Sequence, residues 1–243
     1  MADKTIIKDS LVILGDSFTC YGYTYANILS ESLKMPLHKF AELGVSNEFI
    51  LSNFHYKVAE KNLAFENCIF IFQSTNMGRY EIDISENTTG HDYITLHNLW
   101  PYVHKNKNYV TLGNKTLLLT QFCKNVLKLP VETPIDKSIE FFSPKYNAVK
   151  ICYQVNLLAD FLKSSGNNKF LFVVGLTRFD TLSLKDYPLT VETVSYNGLG
   201  MDQYVKDNNL LDQDMFHPNL EGHKKIAEEF VIKKLRALKW IND

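Results

Sequence analysis

Ser17 follows Gly15 and Asp16 at the end of a short apolar run, and Asp214 stands three residues before His217. A serine hydroxyl attacks a carbonyl only when a base takes its proton and donors receive the oxyanion. Asp214-Met215-Phe216-His217 supplies the base and the group that orients it. In a tight turn at a helix entrance, that spacing lets the carboxylate fix the ring and stabilise its protonated form. Pro218 stiffens the segment, and Asn219 can cap the helix that follows. For the oxyanion, the natural donors are the backbone N–H groups of Ser17 and Gly44 and the side-chain amide of Asn76. Together these residues could run acyl transfer through a covalent serine ester. Activity would fall in acid, where His217 protonates and can no longer act as base.

Each piece alone has a bland explanation. Gly-Asp-Ser is a common tripeptide, Asp-x-x-His can be a helix cap beside a surface histidine, and Gly44 and Asn76 can be turn residues. Order and placement carry the weight, and they require elements to hold these residues together. Ser10 to Leu14 reads as a short buried strand that delivers Ser17. A helix is expected from about Tyr23 to Lys34, with Ala26, Leu29 and Leu33 on one face, then a strand from Leu37 to Leu43 ahead of Gly44. Ser46 or Asn47 should cap a helix in which Ile50, Phe54 and Val58 repeat every four residues. Cys68 to Gln73 is a continuous apolar run, expected for a central parallel strand, and it leads to Ser74-Thr75-Asn76.

From about Ser85 to Ser143 no period persists, and the stretch reads as an irregular insert, with a hairpin plausible around Tyr109 to Leu119 and a helical segment near Leu118 to Leu127. Order resumes with a helix from about Pro144 to Leu162 and the strand Phe170 to Val174. Thr177 to Leu211 reads as irregular again. A last helix should run from about Asn219 to Trp240, with Ile226, Phe230, Leu235 and Leu238 as its buried stripe. Strands alternating with helices imply a three-layer α/β/α sandwich with a mostly parallel sheet. Right-handed crossovers then put the strand C-termini, and with them the chemistry, along one edge.

With 243 residues, 45% of them hydrophobic, the chain can build a substantial core, and a single domain over residues 1–243 is expected. A net charge of −1 gives no bulk field toward nucleic acid or an anionic membrane. No segment is long and apolar enough to span a bilayer, and Met1-Ala2-Asp3-Lys4 lacks the form of a secretory signal, so a cytoplasmic location is the expectation. The four cysteines (Cys20, Cys68, Cys123, Cys152) have no metal-like spacing and read as reduced thiols. His91, His97 and His104 fit no ligand pattern, and His223 reads as part of a helix start. Arg79 and Glu81 could line the site, with Arg79 touching substrate, or could simply pair with each other. Tyr93, Trp100, Tyr102 and Tyr109 could stack on a sugar ring or fill a small core.

Four blocks carry a family likeness. Val12-Ile13-Leu14-Gly15-Asp16-Ser17 resembles the nucleophile block of the SGNH/GDSL hydrolase superfamily, and Leu43-Gly44-Val45-Ser46-Asn47 resembles the second block. Ser74-Thr75-Asn76-Met77 resembles the third, usually Gly-x-Asn-Asp, with Ser74 and Met77 as departures. Asp214-Met215-Phe216-His217-Pro218-Asn219 with Gly222-His223 resembles the last block. The resemblance implies a flavodoxin-like SGNH hydrolase fold, a Ser17-His217-Asp214 triad, and an oxyanion hole from Ser17, Gly44 and Asn76. It also implies no metal or organic cofactor, and an architectural rather than chemical role for Asp16. The expected activity is a serine esterase (an acetylesterase in its commonest form) acting on a small-molecule or glycan ester, without nucleic acid or membrane insertion. Two alternatives stay open: acyl transfer to a sugar hydroxyl, and a non-catalytic carbohydrate-binding or assembly module on the same scaffold.

Overall fold

The computed structural model describes residues 4–20, 22–42, 46–75, 81–83, 93–95, 144–176, 188–214 and 216–242. The N-terminal half contains strands β1 (Thr5–Lys8), β2 (Leu11–Gly15), β3 (Leu37–Ala41), β4 (Leu63–Glu66) and β5 (Ile69–Gln73), with helices α1 (Ser17–Cys20), α2 (Tyr25–Leu33) and α3 (Asn47–Glu60) between them. A short antiparallel pair, β6 (Glu81–Asp83) with β7 (Tyr93–Thr95), follows. Then come α4 (Pro144–Gly166), β8 (Lys169–Val173), β9 (Glu192–Val194) and α5 (Met201–Asp207). The last helix begins as α6 (Leu220–Lys225), passes through a π-helical stretch (Ile226–Ile232) and ends as α7 (Lys233–Ala237).

The main sheet has five strands in the order β3-β2-β5-β8-β9, every pair parallel. β2 and β5 are buried along their whole length, which requires cover on both faces and explains their unbroken apolar sequences. On one face Val12, Leu14, Phe70, Phe72, Phe170 and Phe172 form a core with Ile50 and Phe54 of α3 and Ile151, Val155 and Leu158 of α4. On the other, Leu11, Ile13, Ile69, Ile71, Leu171 and Val173 pack with α2, α5 and the last helix. This is the expected three-layer α/β/α arrangement. Because β3 lies on one side of β2 and β5 on the other, the chain reverses its direction of winding at β2, the position where open α/β sheets characteristically place their sites.

Several elements differ from the sequence-based expectation. β1 and β4 were not anticipated; they pair in parallel as a two-stranded annex, each leading into a central strand through a left-handed turn residue, Asp9 (φ 47°) and Asn67 (φ 52°). The stretch expected to be irregular over 177–211 contains β9 and α5. β9 has only three residues at the sheet edge, too few to show a period, while Met201, Tyr204 and Val205 of α5 do keep helical spacing over a single short segment. β7 lies inside the expected insert, whose hairpin near 109–119 and helix near 118–127 fall outside the described residues.

In the last helix the buried stripe is Ile226, Ala227, Val231, Ile232 and Leu235, with Phe230 and Leu238 only partly covered. The reason is the π-helical stretch. Its i to i+5 hydrogen bonds stack Ile226 over Val231 and Ala227 over Ile232, a spacing that a 3.6-residue period does not show. No described helix is long and apolar enough to cross a membrane.

Candidate active site

β2 ends at Gly15, and the chain turns at once into α1, so Ser17 lies at the strand end where the winding reverses. Asp16 makes that turn. Its carboxylate Oδ1 accepts the backbone N–H of Phe18 (3.1 Å), and its carbonyl accepts from Thr19 N (2.9 Å) and Cys20 N (3.0 Å). A side-chain oxygen in this position satisfies a helix N–H that would otherwise lack a partner. Asp16 is fully buried and Ser17 nearly so. Gly15 is needed for a spatial reason: a Cβ there would lie 2.3 Å from Thr19 Oγ1.

The segment before α6 is closed on itself. Leu211 and Pro218 form an isolated antiparallel bridge, Asp212 N donates to the His217 carbonyl (2.8 Å), and Asn219 N donates to the Leu210 carbonyl (2.8 Å). Inside this loop Asp214 Oδ1 accepts the backbone N–H groups of Phe216 (2.8 Å) and His217 (2.9 Å). Its other oxygen, Oδ2, hydrogen-bonds the His217 ring at Nδ1. Asn219 caps α6 by accepting from Gly222 N (2.8 Å). Partial burial works to raise the Asp214 pKa, but the two backbone donors and the His217 ring outweigh it and hold the carboxyl at about 2. The group is therefore an anion at neutral pH, facing the ring it orients.

These two regions meet. The Phe18 ring lies 5.8 Å from the His217 ring, centroid to centroid, tilted by 58°. The structure thus brings together the residue after Ser17 and the Asp214–His217 pair, from near opposite ends of the chain. Gly44, Asn76 and Arg79, also expected at this edge, lie outside the described residues. So do His91, His97 and His104. His223 is 6% exposed in α6, and burial, with His217 and Lys39 nearby, pushes its pKa down to about 4. It sits as a neutral ring at the helix start.

Four other residues around the site were not anticipated as such. Ser46, as expected, caps α3 by accepting from Phe49 N (3.0 Å), while the other capping candidate, Asn47, does something else. Its amide exchanges two hydrogen bonds with the backbone of Thr75, Nδ2 to the carbonyl (3.1 Å) and Oδ1 from the N–H (2.8 Å), tying the chain after β5 to the start of α3. Ser74, which stands where the third block usually has glycine, accepts the N–H of Gly175 (3.2 Å) and links the ends of β5 and β8. Gln73 and Thr19 join Asp16 in a buried network. Polar residues closing an apolar strand were the available signal, but their partners are far away in sequence.

No family model matches the chain, and no curated protein does. Solved structures do align with it. One is TesA (11% identity, 94% of this chain and 99% of that one, TM-score 0.48). Another is a member of the lipolytic G-D-S-L family from Veillonella parvula (8%, 96% and 98%, 0.45). A third is a family two carbohydrate esterase from Clostridium thermocellum, solved with cellohexaose (12%, 99% and 68%, 0.44).

Proposed function

We propose that the chain is a serine esterase of the SGNH type, folded as a single domain, that removes a short acyl group such as acetyl from a carbohydrate or similar polar ester. One observation carries this: an Asp214 carboxylate, fixed by two backbone N–H groups, holds the ring of a histidine that lies against Phe18, next to Ser17. In this reading Ser17 Oγ attacks the ester carbonyl while its proton passes to His217. Asp214 stays ionised and stabilises the imidazolium. The Ser17 N–H, with Gly44 N–H and the Asn76 amide, receives the oxyanion. Collapse breaks the bond to the alcohol, which leaves with the proton from His217 and deposits the acyl group on Ser17. Water then attacks the acyl-serine and gives a proton to His217, which passes it to Ser17 Oγ as the carboxylic acid leaves.

The test is covalent labelling by a fluorophosphonate. The wild type should label and Ser17→Ala should not; a folded wild type that fails to label ends the hydrolase reading in favour of a non-catalytic module. On p-nitrophenyl esters of rising chain length, activity should be confined to short acyl groups. A preference for long chains would refute the substrate class.

A further inference from the structure

Gln73 is the last residue of β5, a strand that is otherwise apolar, and it is 1% exposed. Burying a primary amide is costly unless its hydrogen bonds are made. Here both ends of the amide are engaged, by groups from different elements. Nε2 donates to Asp16 Oδ1 (3.0 Å) and to the Ser74 carbonyl (2.9 Å), and Oε1 accepts from Thr19 Oγ1 (2.7 Å). The orientation of the amide is forced, because the Ser74 carbonyl can only accept and so must face the NH₂ end.

Thr19 Oγ1 also lies 3.2 Å from the buried Tyr25 hydroxyl, and Thr24 Oγ1 donates to the Thr19 carbonyl (2.9 Å). Space is reserved for this arrangement. A Cβ at Gly175 would lie 2.2 Å from Gln73 Nε2, and one at Gly15 would lie 3.0 Å from Gln73 Oε1. The oxygen of Asp16 that takes the Gln73 amide is the same oxygen that takes the Phe18 N–H. One lone carboxylate oxygen therefore joins β5 to the first turn of α1, the turn on which Ser17 stands.

We propose that Gln73 is a positioning residue for Ser17: its amide locks the Asp16 carboxylate and so fixes the turn that aims the serine. The proposal rests on Ser17 being the nucleophile. Without the amide, the buried Asp16 Oδ1 loses the donor that ties it to β5, and the turn it shapes is held less firmly. The serine then spends less time in line with its base.

The experiment is fluorophosphonate labelling of the full chain, with the end point and the rate constant read separately across pH. The end point reports how much protein is folded. The rate constant reports how well Ser17 is aimed. Gln73→Leu should lower the rate constant of the fraction that labels by about ten- to a hundredfold, the scale on which small misplacements of reacting groups act. In Gln73→Glu the new carboxyl can donate to Asp16 only while it holds a proton. Its rate relative to wild type should be highest in acid and fall as that proton is lost. A Gln73→Leu rate constant equal to wild type, with any loss confined to the end point, would reduce Gln73 to a packing residue. A pH-independent ratio for Gln73→Glu would overturn the proposal too. A folded wild type that does not label removes the Ser17 reading itself, whereas a labelled wild type matched by Gln73→Leu removes only the role of Gln73.

Discussion

Asp214 does two jobs with two oxygens: one is held by backbone N–H groups, and the other holds the ring of His217. Replacing it by asparagine keeps the shape but puts an amide where the ring needs an acceptor. In the mechanism proposed above, Asp214→Asn should lower kcat on a short-chain ester by about 10³–10⁴-fold with little change in KM, because His217 would be left in the wrong tautomer to act as base. Stability follows the same residue. Its carboxyl sits at about 2 in the folded chain, below its ordinary 3.8. The contribution of the pairing is therefore complete above that ordinary value and is lost as the pH falls through about 2.

At the scale of elements, α6 begins three residues after His217, and Asn219 supplies the cap. Asn219→Ala should cost about 0.5–2 kcal/mol in urea denaturation. A larger loss would mean that the loop at 211–218 comes apart with the cap. Elements that are long or continuously apolar were legible in the sequence: β2, β5 and β8, and helices α2, α3 and α4. Those that were not are short or set by contacts. β1, β4 and β9 have three or four residues each, and the π-helical stretch is defined by hydrogen bonds that leave no simple period. The site divides in the same way. Asp214 and His217 lie three positions apart, so their pairing could be read directly. Gln73 and Asp16 lie 57 positions apart, and a glutamine closing an apolar run looks like nothing more than the end of a strand.

For the whole molecule, acid should act through His223 before it reaches Asp214. Burial, aided by the neighbouring His217 and Lys39 and opposed by Asp212, holds His223 at about 4 against an ordinary 6.5. The unfolded chain therefore takes up a proton that the folded one refuses. The stability tied to the neutral ring is complete above 6.5 and declines as the pH falls toward 4. The shift corresponds to a loss on the order of 3 kcal/mol. Urea midpoints should drop over that interval in the wild type, and His223→Phe should flatten the drop. An equal slope in both proteins would place the acid sensitivity elsewhere.

Where the His217 ring sits depends on the loop closed by Leu211 and Pro218 and on the docking of α6, while the place of Ser17 depends on the end of β2. That loop carries both the Asp214–His217 pair and the hydrogen bonds that shape it. Evolution can therefore move or replace it as one piece, with only the docking of α6 to be met again.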